Sequence, residues 1–219
     1  MNFTNTLLIA GLAIVTTACH KGQVPPDGIP VKLSYTFTNG PGAFNPEEPI
    51  VDGLGRTVWI TKFKFYAHDV RLLGSDGNAV TQAQDSILFV DMDAATNELA
   101  LGTMQPAQLS QVELAYGLND QASYGYPDQV AAPYPLNVAD MTWMWNTAAG
   151  RVFVKLEGFV DENANDTLDE GEGFQYHAIG AALEPERATV PYAQSIVLGA
   201  PFTIRLNVDM AALVSTLGL

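Results

Sequence analysis

The chain has 219 residues, of which 47% are hydrophobic, so one sizeable core is expected and a disordered chain is excluded. Its formal net charge is −14, with only ten Lys and Arg residues. Such a surface repels phosphate backbones and disfavours nucleic-acid binding.

The first 18 residues have the pattern of an export signal. An apolar run at 7–15 is too short to span a bilayer and is followed by small residues and then by Cys19. A cysteine at this place is typical of bacterial lipoproteins, so we predict a lipoprotein signal peptide over 1–18, lipidation of Cys19 and a Pro- and Gly-rich tether over 19–30. The alternative is an ordinary secretory signal with an incidental cysteine. Both predict export, and lipidation predicts a protein anchored to the outer membrane, facing the periplasm or the cell surface.

From residue 31 to the C-terminus, period-two patterns predict an all-β domain. Apolar and polar residues alternate over 31–37, 61–72, 111–116, 151–156 and 202–208, and 87–90 is a short apolar run typical of a buried strand. Frequent turn signals between these strands predict an antiparallel β-sandwich of roughly eight to ten strands with long loops, in a single domain over 31–219. Residues 119–141 lack periodicity and are expected to form a long surface loop, and 210–214 looks helical.

Residues 161–172 follow the twelve-residue pattern of a calcium loop. Oxygen-bearing residues fall at positions 1, 3, 5, 7, 9 and 12, namely Asp161, Asn163, Asn165, Thr167 (through its carbonyl), Asp169 and Glu172. Ca²⁺ takes six to eight oxygen ligands, which a tight loop supplies by aiming alternate residues inward. Two features depart from the pattern: position 6, normally Gly, is Asp166, and the flanks read as strands. The alternative is a solvated acidic hairpin turn.

Few other residues point to chemistry when taken singly. A lone histidine or tryptophan in a strand is more often structural than functional. The sequence has no Gly-x-Ser-x-Gly elbow and no His-Glu-x-x-His motif, so a hydrolase is disfavoured and no catalytic residues are predicted.

Five segments taken together carry a resemblance. They are KFKFYAHDVRL at 62–72, LFVD at 88–91, MTWMWNT at 141–147, FVKLEG at 153–158 and FQYHAIG at 174–180. In this order they resemble the MbnP-like copper-binding proteins, related to methanotroph copper proteins, from about residue 31 to the C-terminus. The Trp-x-Trp-Asn-Thr segment followed by the Lys-Leu-Glu-Gly strand is the most specific part.

The resemblance implies an exported β-sandwich that binds copper for uptake, storage or delivery and is not an enzyme. By position, His68 and His177 become the candidate copper ligands. In some members of the family a Trp is oxidised to kynurenine by a MauG-type di-haem partner enzyme, and Trp143 or Trp145 becomes the candidate here, with Trp59 left open. The alternative function is a calcium-stabilised module for cell-surface binding or adhesion, without copper. The two readings differ in whether His68 and His177 converge.

Overall fold

The computed structural model describes residues 28–125, 131–143, 147–179 and 186–217. The predicted signal peptide (1–18), Cys19 and residues 20–27 of the tether therefore lie outside the described residues, as does Trp145. In the described part, no helix is long and apolar enough to cross a membrane.

Eleven strands make up most of the described chain. They are β1 (Ile29–Asn39), β2 (Gly42–Ala43), β3 (Ile50–Val51), β4 (Thr57–Gly74), β5 (Ala79–Asp91), β6 (Asn97–Met104), β7 (Ala107–Tyr116), β8 (Val152–Val160), β9 (Gly173–Ile179), β10 (Glu186–Ile196) and β11 (Phe202–Asp209). The helices α1 (Asp120–Tyr124) and α2 (Met210–Leu217) and the 3₁₀ turns Ala139–Met141 and Thr147–Ala149 accompany them.

The strands form two sheets. In the smaller sheet, β1 pairs with β11, β6 and β2. In the larger sheet, β4 is the spine: Phe65 pairs with both β5 and β8, and Ala67 pairs with both β5 and β7. Strands β7 and β8 therefore lie end to end along one edge of β4, and the sheet is extended outward by β10 beside β7 and by β9 beside β8.

The main core lies between the two sheets. The alternation predicted over 31–37 is confirmed, because Val31, Leu33 and Tyr35 of β1 are buried. They face the apolar side of β4, where Phe65 meets Tyr35 edge to face with ring centroids 5.3 Å apart. Removing each such side chain from water stabilises the fold by about 1.5–3 kcal/mol.

The predicted all-β sandwich is confirmed, with two differences of detail. The described residues contain eleven strands rather than eight to ten, because β2 and β3 are two-residue strands. Strands β1 and β11 pair in parallel rather than antiparallel fashion, from Val31–Phe202 to Thr38–Asp209. A parallel pair needs a long connection, and here the rest of the sandwich supplies it between the first and the last strand.

The described residues of 119–141 are mostly exposed and irregular, as expected of a surface loop, but several of them are buried. Ala122, Leu136 and Met141 are buried, and the segment contains α1 and one 3₁₀ turn. Their burial was not expected from the sequence, because they are held by irregular backbone, which has no sequence period to detect. The helix predicted over 210–214 is confirmed within α2, whose Met210 and Val214 close one end of the main core.

Candidate metal centre on the outer face of the larger sheet

The outer face of the larger sheet carries a second hydrophobic layer. Its cover is formed by the described residues between β7 and β8 (117–125, 131–143 and 147–151), which we call the cover segment. Tyr66 of β4 is fully buried beneath it and donates a hydrogen bond from its hydroxyl to the Pro135 carbonyl oxygen at 3.0 Å. Arg151 ties the segment together, because its buried guanidinium donates to the carbonyl oxygens of Ala122, Ser123 and Leu136.

His177 lies at one side of this layer, on β9. It is the cross-strand partner of Lys155 on β8, and Lys155 is in turn the cross-strand partner of Lys64 on β4. The three side chains therefore share the outer face. The His177 Nε2 atom is 2.8 Å from Glu157 Oε1. A carboxylate only accepts, so Nε2–H is the donor, and in the neutral ring Nδ1 keeps the free lone pair. Trp143 packs against this ring edge to face, with centroids 6.2 Å apart and an interplanar angle of 76°.

An ion-pair network surrounds this pair. Asp140 accepts from Lys155 at 2.6 Å and lies 3.1 Å from the Lys64 ammonium and 3.7 Å from that of Lys62. Glu157 lies 3.2 Å from the Lys62 ammonium. Three of the ten Lys and Arg residues of the chain are thus gathered beside His177 and held by carboxylates.

The carboxylates of this network are held ionised. Burial alone would raise the pKa of Asp140, but hydrogen bonds from Lys155 and Lys64 outweigh it and lower that pKa to about 2. The pKa of Glu157 is lowered in the same way, because hydrogen bonds from His177 and from a lysine outweigh burial. Both groups therefore keep their charge at neutral pH and fix their partners in place.

His68 lies elsewhere on the same face. It is 4% exposed, and its Nδ1 is 3.1 Å from the Gly117 carbonyl oxygen, so Nδ1–H donates and Nε2 carries the lone pair of the neutral ring. Burial lowers the pKa of His68, and the neighbouring Asp69 carboxylate offsets this only in part. The ring is therefore neutral at pH 7, the form that binds a metal ion.

The structure does not bring His68 and His177 together. In the strand register, His177 on β9 lies level with Lys64 on β4, with β8 between the two strands. His68 is four residues farther along β4 than Lys64. This places the Cα atoms of the two histidines roughly 16 Å apart, from roughly 13 Å along the strand and roughly 10 Å across it. Side chains on one face stand roughly perpendicular to the sheet, so the rings are similarly separated. Two imidazole nitrogens on one ion lie within about 4 Å of each other.

Residues 161–172 connect β8 to β9, and five of the six predicted calcium ligands hydrogen-bond one another through their side chains, namely Asn163, Asn165, Thr167, Asp169 and Glu172. Asp169 Oδ2 accepts from the amide groups of Asn163 at 3.0 Å and of Asn165 at 2.7 Å. Glu172 Oε1 accepts from Asn163 at 3.0 Å, and Thr167 Oγ1 lies 3.0 Å from Asp169 Oδ1. Asp161 is the buried member of the loop, and its two carboxylate oxygens accept the backbone N–H groups of residues 165 and 166 at 3.1 and 2.9 Å.

The departure from the calcium pattern at position 6 has a structural explanation. Asp166 has φ +57°, in the left-handed region that glycine occupies in such loops and that Asp adopts more readily than most residues. The backbone turn is therefore made without glycine. In the described residues no three His, Cys, Asp or Glu side chains are grouped so as to hold a metal ion. Within this loop, the side-chain NH₂ groups of Asn163 and Asn165 both donate hydrogen bonds to the Asp169 carboxylate.

Sequence reasoning identified part of this site and missed the rest. It named His177 and Trp143, which the structure places in contact, whereas Trp145 lies outside the described residues. It overlooked Asp140, Lys155 and Glu157. Alternation could have indicated the two β8 residues. Lys155 and Glu157 lie on either side of the buried Leu156 in the sequence, so both point to the face of the strand opposite Leu156. Nothing in the sequence indicated Asp140, whose partners are on distant strands.

Comparison with known proteins agrees with this fold. No curated protein matches the sequence. Among solved structures, the chain is similar to MbnP from Methylosinus trichosporium, with a TM-score of 0.52 and 15% sequence identity over 75% of this chain and 71% of that one. At this identity the likeness shows the fold. The MbnP family model matches residues 28–219, and the chain therefore belongs to the MbnP family.

Proposed function

We propose that this protein is an exported lipoprotein that binds copper for uptake, storage or delivery and does not turn over a substrate. The observation that supports this most is the His177 ring, which donates to Glu157 through Nε2 and packs against Trp143. A histidine that ligates a metal ion commonly donates its other ring N–H to a carboxylate, which fixes the tautomer and makes the ring a stronger ligand. Imidazole is a suitable copper ligand. In this proposal His177 Nδ1 is the copper donor.

His68 is the second candidate ligand. Its neutral ring and fixed tautomer suit a metal ion equally well. Because the register separates it from His177, we propose His177 as the principal ligand and His68 as a donor that reaches the same ion only if the sheet rearranges.

The proposal includes an oxidative modification of one Trp by a MauG-type di-haem partner. Trp143 is the better-supported candidate, because it packs against the proposed ligand. Trp145 remains a candidate on the sequence resemblance alone. Conversion of Trp to kynurenine gains one oxygen atom and loses one carbon atom, so the corresponding mass change on the tryptic peptide that contains both residues, in protein purified from its native host, is the expected sign of this modification.

Two further parts of the proposal concern other regions. Cys19 is the proposed site of lipid attachment, which would anchor the protein to the outer membrane. The 161–172 loop is the proposed structural calcium site, with Asp161, Asn163, Asn165, Thr167, Asp169 and Glu172 as ligands. The hydrogen bonds that join Asn163, Thr167, Asp169 and Glu172 support it.

Copper binding is tested by metal stoichiometry. Purified protein is titrated anaerobically with Cu(I) against a competing chelator, and bound copper is measured by elemental analysis. We expect about one copper per chain for the native sequence and a large loss for His177→Ala. The matched control is Tyr176→Ala, which alters the adjacent, half-exposed residue of β9 and should retain copper. Unchanged copper in His177→Ala would reject the site.

One observation favours the alternative of a calcium-stabilised adhesion or surface-binding module. Three lysine ammonium groups lie near His177, and positive charge disfavours a second cation. Each of these lysines is paired with a carboxylate, which reduces that repulsion. A native protein that binds no copper in the titration but is stabilised by calcium would favour the module.

A further inference from the structure

Asp140 occupies a special position in the cover segment. It lies in the 3₁₀ turn Ala139–Met141, three residues before Trp143. Lys155 donates to it twice, to the backbone carbonyl oxygen and to Oδ1, both at 2.6 Å. Lys64 lies 3.1 Å from its other carboxylate oxygen. One residue of the cover segment is therefore held by two strands of the sheet.

The chain between Asp140 and Trp143 is short and well ordered by hydrogen bonds. The Thr142 N–H donates to the Ala139 carbonyl oxygen at 3.1 Å, and the Thr142 hydroxyl donates to that of Val138 at 3.2 Å. Thr142 also forms an isolated antiparallel bridge with Arg151, the residue before β8. Because this turn is fixed internally, holding its Asp140 end also sets the place of Trp143.

The ion pair between Asp140 and Lys155 is strong because the Lys155 side chain is buried. Lys155 is 8% exposed, and a buried ammonium group that loses its carboxylate is strongly destabilising. Lys155 is also the direct cross-strand neighbour of His177. The carboxylate that binds Lys155 therefore holds the turn level with the His177 ring.

From this geometry we propose that Asp140 is a positioning residue, which holds Trp143 against the His177 ring through its ion pairs with Lys155 and Lys64. The structural part of the proposal concerns only the contact between the two rings. Its importance for copper rests on the proposed function of His177. The two parts are tested by separate measurements.

The contact is tested by NMR of the metal-free protein. The ring current of Trp143 displaces the His177 imidazole proton resonances, which are identified by their loss in His177→Gln, and Trp143→Ala gives the resonance positions without the contact. We expect Asp140→Asn to move the His177 resonances most of the way to those positions. Asp140→Glu should restore them in part, because it keeps the charge.

The matched control is Asp91→Asn. Asp91 also binds Lys64, at 3.0 Å, but belongs to β5 and not to the cover segment. It should leave the His177 resonances unchanged. Equal displacement by Asp91→Asn and Asp140→Asn, or none by Asp140→Asn in a folded protein, overturns the proposal. If Asp140→Asn does not fold, Lys155→Met breaks the same pair from the sheet and should displace the same resonances, and an unmoved His177 signal there overturns it equally.

Copper affinity is the second measurement. In Asp140→Asn, loss of the positioning contact should lower the copper affinity about tenfold, which is within the range found when residues that hold a metal ligand in place are mutated. Retained copper in His177→Ala would reject the proposed function and leave the NMR result standing. Displaced His177 resonances with unchanged copper affinity would overturn the importance of Asp140 for copper.

Discussion

Calcium should stabilise this protein through the 161–172 loop. The Asp169 and Glu172 carboxylates share the Asn163 amide as a donor there, and without an ion their repulsion is offset by side-chain amide, hydroxyl and backbone donors. Calcium would replace those donors. Because Ca²⁺ binds oxygen, the Asn163 and Asn165 side chains must turn their carbonyl oxygens inward, where they now present NH₂ groups.

The expected size of the effect follows from linkage. Loops of this kind in extracellular modules bind calcium with Kd of about 10⁻⁴–10⁻³ M. At about 10 mM calcium this stabilises the folded state by about 1.4–2.7 kcal/mol. For a domain of this size, 1 kcal/mol shifts Tm by about 2–4 °C, so the total shift is about 3–11 °C.

The assay is calorimetry in chelator and in calcium, with magnesium as a comparison. Glu172→Gln removes the charge of the closing ligand and should abolish most of the shift. Glu170→Gln makes the same chemical change two residues away, on an exposed side chain outside the ligand positions, and should keep it. An identical Tm for the native protein in chelator and in calcium would refute the reasoning.

Two further predictions concern the cover segment. Tyr66→Phe should destabilise the fold by about 1–2 kcal/mol in urea unfolding, because the Pro135 carbonyl oxygen loses its buried partner, whereas Tyr134→Phe, at a side chain 74% exposed, should change little. The pKa of Asp140 lies at about 2 in the folded state and near 3.9 when unfolded, so its stabilising contribution is complete above about pH 4 and is lost as the pH falls toward 2. The difference in unfolding free energy between the native protein and Asp140→Asn should therefore shrink over that range. A difference independent of pH would contradict the assigned pKa.

The strands were predictable because their information is local. Alternation assigned the residues of β1 and the middle of β4 to faces, where His68 lies opposite Phe63 and Phe65, beside the buried Tyr66. It did not give the two irregularities of β4, at Ile60–Lys62 and His68–Val70, across which the order of core-facing residues shifts. The 161–172 loop was predictable for the same reason, since its ligands are close in sequence. The sequence alone could not show whether Asp166 makes the turn that glycine makes in such loops. Asp can adopt the left-handed region as Gly does, and only the backbone conformation shows that it does so here.

The remainder depends on distant pairings. Alternation gives the face of a strand residue but not which strand lies beside it, so it could not show that β8 lies between the strands of His68 and His177. The parallel partner of β1 is the last strand of the chain, and the Asp140 partners Lys64 and Lys155 lie on two separate strands, so neither pairing carries a local signal.

The separation of His68 and His177 leads to a quantitative test of how copper is held. Groups more than about 7–10 Å apart with no shared partner contribute additively, within about 0.5 kcal/mol, whereas two ligands of one ion are coupled. We therefore expect a double-mutant cycle of His68→Ala and His177→Ala, with copper affinities from competition against chelators of graded strength, to give a coupling energy below about 0.5 kcal/mol. Most of the lost affinity should belong to His177. A coupling of several kcal/mol would mean that both imidazoles bind one ion. Strand β9 and the outer face of β4 would then have to approach each other when copper binds, which the register of β4, β8 and β9 opposes.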